Sequence, residues 1–180
     1  MANSARALRT DSARDESQIA EAVFARSQSI AEFIEGLLAD ARVSIDAALH
    51  RFNSQVLAQA LLDAHARGVR IRLLTDRSKY AESSATQKLL SSCGFPIRVT
   101  HGRDGEDSKM HHKFAVVDGR LVITGSYNWT FASERRNHEN VVILREAKLT
   151  ETFLSEFEAL WSDSDDASEP EGKGETRNSA

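Results

Sequence analysis

A single cysteine, Cys93, occurs among 180 residues. That excludes an intrachain disulfide and a cysteine-rich zinc site. Cys93 falls at the end of a helical pattern, where it reads as a small buried thiol. No apolar run is long enough to cross a bilayer, and no positively charged start leads into an apolar core. Stable membrane insertion is therefore not expected, and a cytoplasmic location is the default expectation. Internal repeats are missing too. The length suits one domain with a proper core, plus tails.

Excess charge is also scarce, at −4 overall. Residues 162–180 hold six acidic and two basic residues, which accounts for all of it; the remaining 161 balance at 21 of each sign. Within them, residues 67–113 carry ten basic and five acidic side chains. Such a stretch is either a solvated charged face or a basic surface that concentrates a phosphate polymer.

Residues 1–21 lack periodicity or are ambiguous and are expected to be loosely ordered, with a short strand or the start of a helix at 22–25. Ser29 caps a helix whose apolar face is Ile30, Phe33, Ile34, Leu37 and Leu38. A strand follows at 43–49. Ser54 caps a second helix, burying Val56, Leu57, Ala60, Leu61 and Ala64, and Gly68 sits where a C-terminal glycine belongs. A strand over 69–76, a helix over 85–93 and a strand over 97–100 come next, then a polar loop over 101–108. Beyond the hairpin described below, residues 127–136 read as helix and 140–144 as strand. A last amphipathic helix shows Leu149, Phe153, Leu154, Phe157, Leu160 and Trp161. The domain is thus 22–161, and 162–180 is expected to be an acidic disordered tail. Strands alternating with helices imply an α/β fold with a mixed, mostly parallel sheet flanked by helices on both faces.

The chemistry concentrates in Lys109-Met110-His111-His112-Lys113 and the residues after it. Two short apolar runs, 114–117 and 121–123, flank Asp118-Gly119, a strong signal for a two-residue hairpin turn. His111 and Lys113 are two apart, so on a strand their side chains leave the same face. A titratable base beside a fixed positive charge suits chemistry on an anion. His112 points the other way and reads as structural.

The pattern His111-x-Lys113-(four residues)-Asp118, followed by Gly125-Ser126-Tyr127-Asn128 and by Glu139-Asn140, resembles the HKD signature of the phospholipase D superfamily. Ser44-Ile45-Asp46, Arg67-Gly68-Val69-Arg70-Ile71-Arg72 and residues 94–98 also fit, so the resemblance covers about residues 22–161. It is greatest to the single-motif branch, the Nuc-type and Zucchini-like endonucleases. Those bring two motifs together in a two-fold dimer; one copy here implies a homodimer with its active site at the two-fold interface. The membrane anchor and zinc insertion of Zucchini-like proteins, and the signal peptide of exported Nuc-type ones, have no counterpart in this sequence. One departure is His50-Arg51-Phe52-Asn53, where an aromatic-x-Phe-Thr is more usual.

By this resemblance His111 is the nucleophile, forming a phosphohistidine, while the second subunit's copy is the general acid and base. Lys113 and Asn128 hold the non-bridging oxygens, Ser126 adds a phosphate contact, and Glu139 accepts the other ring N–H of His111. Asp118 completes the motif, although Asp-Gly is also what a type I′ turn selects, and an orienting or structural role is the better reading. No metal or cofactor is required. A zinc site from His101, His111 and His138 lacks the spacing such sites use. Tyr127, Trp129 and Phe131 read as core rather than as a base-stacking platform. The leading substrate is nucleic acid, DNA or RNA. A phospholipid such as cardiolipin is the alternative, and a non-catalytic nucleic-acid binding module is disfavoured because such a module has no need of the His-Lys pair.

Overall fold

The computed structural model describes residues 19–167. Residues 1–18 and 168–180, which include most of the two expected tails, lie outside the described residues. In chain order the elements are β1 (Ala20–Phe24), α1 (Ile30–Ala39), β2 (Ser44–Leu49), α2 (Gln55–Ala66), β3 (Arg70–Asp76), α3 (Arg77–Ala81), α4 (Ser84–Ser91), β4 (Ile97–Thr100), β5 (Lys113–Val117), β6 (Leu121–Gly125), α5 (Phe131–Arg136), β7 (Asn140–Leu144), α6 (Ala147–Ser162) and β8 (Asp165–Asp166).

The strands form one sheet in the order β1-β7-β6-β5-β2-β3-β4-β8. It is mixed, and helices cover both faces, as expected. The balance differs: only β2–β3 and β3–β4 pair in parallel, and the other five ladders are antiparallel. The reason is the connections. Parallel neighbours need a crossover, which α2 and the α3–α4 pair supply. The chain then returns over residues 101–112 to lay β5 antiparallel beside β2.

Side-chain oxygens start the helices. Ser29 Oγ accepts from Glu32 N at 3.1 Å, and Ser54 Oγ from Leu57 N at 3.3 Å. Helices α1 and α2 then bury Ile30, Ile34, Leu38, Leu57 and Leu61 against Ile45, Ala47 and Leu49 of β2. On the other sheet face Phe157 of α6 packs with Ala48, Leu74, Phe114, Val116 and Val122. The expected turn is present: Asp118 and Gly119 have φ of 54° and 62°, the left-handed pair a type I′ turn requires.

Several local expectations are corrected. Val56 and Leu149 are exposed, because Ala58 rather than Val56 shares the buried stripe of α2 and Leu149 faces outward on the first turn of α6. Residues 127–129 are extended, with Trp129 bridged to Phe52, and helix starts only at Phe131 under a Thr130 cap. Phe131 is 60% exposed, whereas Tyr127 and Trp129 are core as expected. The start of the acidic tail is ordered as β8, which pairs Asp165 and Asp166 with Val99 and Arg98.

The basic stretch 67–113 is largely consumed inside the fold. Arg70 and Arg72 both meet the buried Asp46, Arg72 also meets Glu158, Arg77 meets Asp165, and Lys79 meets Glu82. Arg67 donates to Leu38 O and Arg98 to Trp161 O. Acids from outside the stretch converge on it only in three dimensions, so its local excess is not displayed as one face.

Candidate active site

The site lies where the C-terminal ends of β2 and β3 meet the start of β5, the usual position for ligands in sheets with parallel strands. Past the Leu49–Lys113 register pair, His50 N donates to His112 O at 2.7 Å, which continues the pairing into the His-x-Lys segment. At the end of β3 the buried Asp76 carboxylate accepts from Met110 N at 2.9 Å through one oxygen. Its other oxygen accepts from Ser78 Oγ at 2.6 Å and Lys79 N at 3.0 Å, capping α3. Asp76 thus ties the residue before His111 to a rigid strand end.

His111 and Lys113 come together as expected. Lys113 Nζ donates to His111 O at 2.8 Å and stands 3.3 Å from His111 Nδ1. Partial burial, then the neighbouring Lys113 and Lys109, hold the His111 pKa below its ordinary value against the opposing pull of Asp76. Burial likewise lowers Lys113, with Glu139 acting in the opposite sense and Arg51 in the same. His111 is therefore neutral near pH 7 and faces a cation, a combination suited to a nucleophile that meets an anion.

The Gly-Ser-x-Asn turn is set by one close approach. Gly125 has φ of 149°, and a Cβ there would lie 2.3 Å from Asn140 O, so no larger residue fits. Ser126 Oγ donates to a Glu139 carboxylate oxygen and accepts from Asn140 N at 3.1 Å. The other Glu139 oxygen accepts from Asn137 Nδ2 at 3.0 Å. Within one chain, then, Glu139 bonds Ser126 and Asn137 and not the His111 ring, as had been expected; Nδ1 of that ring faces Lys113 instead. Behind this turn, Glu134 accepts from Ser29 Oγ, Ala31 N and Tyr127 OH, which clamps the loop to the start of α1. The Phe52–Trp129 bridge sets Asn128 beside the chain that leaves β2. Its Oδ1 is buried with no partner among the described residues.

Asp118 is not brought into this group. It sits at the far end of β5, and its carboxylate accepts from Arg42 N, Val43 N and Ser44 N at 2.7–3.1 Å. Burial pushes its pKa up, and the three backbone donors with Arg120 more than reverse that, leaving it below the ordinary value. Its geometry is that of a structural cap, at the opposite end of β5 from the His111–Lys113 pair. His112, read as structural, lies 3.3 Å from Glu156 of α6 and edge-on to Phe114.

Sequence reasoning did not single out Asp76 for the site, and it noted His50 only as part of the departure at 50–53; the His50 ring lies 4.4 Å from the His111 ring, centroid to centroid. The available signal was position, since both stand at C-terminal ends of strands. Beside His111 a groove of about 830 Å³ is lined by His101, Arg103, Lys109, His112 and Glu156, a volume within the range of ligand sites.

Comparisons with known proteins give the family and the fold. The family model described as "Cardiolipin synthase, PLD-like domain" matches residues 34–161. The chain is 40% identical over 132 residues to the mitochondrial cardiolipin hydrolase of Xenopus tropicalis, covering 73% of this chain and 61% of that protein. To the human protein of the same name it is 40% identical over 133 residues, covering 74% and 51% respectively. The chain thus spans between half and two thirds of the length of these relatives. Among solved structures, Nuc from Salmonella typhimurium, a phospholipase D family member, superposes with a TM-score of 0.74 at 27% identity, covering 82% of this chain and 96% of that one. The names of the relatives overturn the cytoplasmic location expected from the sequence: they are mitochondrial proteins. That expectation rested on apolar segments not found, and such an absence carries no information on compartment. The match across 34–161, with the His111-Lys113 pair and the Gly125-Asn128 turn inside it, places the chain in the phospholipase D superfamily as a PLD-like domain of Nuc-like fold.

Proposed function

We propose that this chain hydrolyses phosphodiesters through His111, in a site completed by a second copy. The observation that carries the reading is the pairing of a neutral His111 with the Lys113 ammonium at the mouth of the groove. A ring nitrogen of His111 attacks phosphorus, forming a P–N bond as the P–O bond to the leaving alkoxide breaks. Lys113 and Asn128 stabilise the non-bridging oxygens. The second subunit's histidine enters the step as the imidazolium, gives its proton to the leaving oxygen and becomes neutral; it then takes a proton from water, whose oxygen bonds phosphorus as the P–N bond to His111 breaks. Ser126 is a further phosphate contact. Glu139 bonds Ser126 and Asn137, and its charge opposes the lowering of the Lys113 pKa. The mechanism uses no metal.

The leading substrate is DNA or RNA. The exposed Arg51, Arg103 and Lys109 around the site support it. The second reading is a lipid phosphodiester, supported by the cardiolipin hydrolase names of the relatives, which also argue for a mitochondrial setting. Side-by-side assays on single-stranded DNA, duplex DNA, RNA and cardiolipin vesicles, with His111→Ala as control, separate them. Turnover of any of these by His111→Ala at wild-type rate overturns the covalent mechanism, and activity that vanishes in EDTA and returns with a divalent cation overturns the metal-free reading.

A further inference from the structure

His50 is 6% exposed, and neither of its ring nitrogens has a hydrogen-bond partner among the described residues. Buried polar atoms are nearly always paired, and an orphan beside a reactive group calls for an explanation, a catalytic role among them. Its position is well determined. The backbone N–H is bonded to His112 O at 2.7 Å, and the ring rests against that of His111 with 4.4 Å between centroids, tilted by 50°.

The charge state follows from the surroundings. Burial, then His111 and Lys113, lower the His50 pKa to about 4, with Asp76 opposing and Arg51 adding. The ring is therefore neutral near pH 7, with one N–H donor and one acceptor nitrogen. Lys113 and Arg51 outnumber the one carboxylate of Asp76 around the ring, so the ligand that supplies the missing acceptor is an anion.

We infer that His50 is a substrate-contacting residue that donates its ring N–H to a non-bridging oxygen of the phosphoryl group carried by His111. This rests on the reading of His111 as the nucleophile. It assigns a third donor beside Lys113 and Asn128, and one that contributes no charge. A neutral donor strengthens as charge develops on the phosphoryl oxygens and does not hold the product phosphate by an ion pair.

The rival is a spacer, an aromatic ring that only keeps His111 upright, which any ring of similar size would serve. Three variants and one binding measurement separate the two. With bis(p-nitrophenyl) phosphate as probe, His50→Phe is expected to lower kcat about 100-fold with little change in KM. His50→Gln, which restores an N–H donor, should recover a substantial part, and both should keep the wild-type Tm. In the unmodified protein, inorganic phosphate should shift the imidazole 15N and 1H resonances of both His50 and His111. A His50→Phe enzyme with wild-type kcat makes His50 a spacer and overturns the inference. Phosphate that moves the His111 signals but leaves those of His50 in place does the same, even if His50→Phe fails to fold, and leaves the phosphodiesterase reading standing. If phosphate moves neither histidine and the wild-type protein turns over no phosphodiester while His111→Ala behaves identically, the reading of the site itself has failed.

Discussion

Asp76 and Met110 are joined by a buried hydrogen bond, carboxylate to backbone N–H at 2.9 Å, across 34 residues of sequence. It fastens the loop that precedes His111 to the end of β3, next to the cap of α3. Asp76→Ala leaves the Met110 N–H without that acceptor and uncaps α3. Loss of a hydrogen bond to a charged group costs about 1.5–3 kcal/mol. Urea unfolding should show a loss of that size, and kcat of the surviving folded protein should fall at least tenfold as His111 loses its register. Unchanged kcat in a destabilised variant would show that the tether has no bearing on the site.

The His111 pKa is lowered by burial and by Lys113 and Lys109. The acid limb of the kcat/KM profile, which reports protonation of the attacking histidine, is expected below the ordinary value of 6.5. Lys109→Met removes one of the cations that disfavour the charged ring, so it should move this limb to higher pH. Movement to lower pH contradicts the assignment.

Asp118 is a structural cap in this fold, so Asp118→Ala should lower stability by about 2 kcal/mol and leave kcat of the folded fraction within a few fold of wild type. A loss of kcat as deep as that of His111→Ala would return it to the catalytic group. The pH dependence follows from its depressed folded-state pKa. The stabilisation is complete above the ordinary carboxylate range and is lost as pH falls through the lower folded value. Acid unfolding of wild type and Asp118→Ala should therefore converge at low pH.

Arg72 joins three parts of the molecule. Its guanidinium bonds Asp46 at 2.7 Å and Glu158 at 2.9 Å and lies 4.8 Å over the Phe157 ring. Arg72→Met keeps the volume and leaves the buried Asp46 to Arg70 alone. Breaking a buried ion pair by removing one partner costs about 3–5 kcal/mol, less here because Arg70 remains. Urea unfolding should show a loss of about 3 kcal/mol, with Trp161 fluorescence shifted red as α6 loosens.

The proposed sharing of the site between two copies has a dosage consequence. When wild-type and His111→Ala chains are mixed and refolded together, each heterodimer holds one histidine in a site that needs two. Activity should fall with the square of the wild-type fraction. A linear fall means that each chain works alone, and light scattering that finds only monomer in the active protein overturns the two-fold model.

Much of the local structure was legible in the sequence because it depends on neighbours. Ser29 and Ser54 act as caps, Asp118-Gly119 forms the I′ turn, and Phe157 and Trp161 mark the inner face of α6. Helix over 127–130 was misread since Tyr127 and Trp129 fit a helical stripe as well as an extended segment; the bridge to Phe52 decides between them. The parallel share of the sheet was overstated for a similar reason. Alternating strands and helices reveal crossovers, and the plain return before β5 has no periodic signature.

The sequence by itself determined the spacing of the His111–Lys113 pair and its frame: two residues two apart at the start of a strand, the hairpin after them, and a glycine where Gly125 must pass Asn140. Those are matters of covalent spacing and backbone sterics. Only the tertiary structure decided the company that pair keeps. Asp76 and His50 arrive from other strands, Asp118 is drawn away to cap the chain at 42–44, and the arginines of β3 are neutralised by Asp46 and Glu158. Each is a contact between residues far apart in sequence, set by strand register and chain return, on which spacing along the chain is silent.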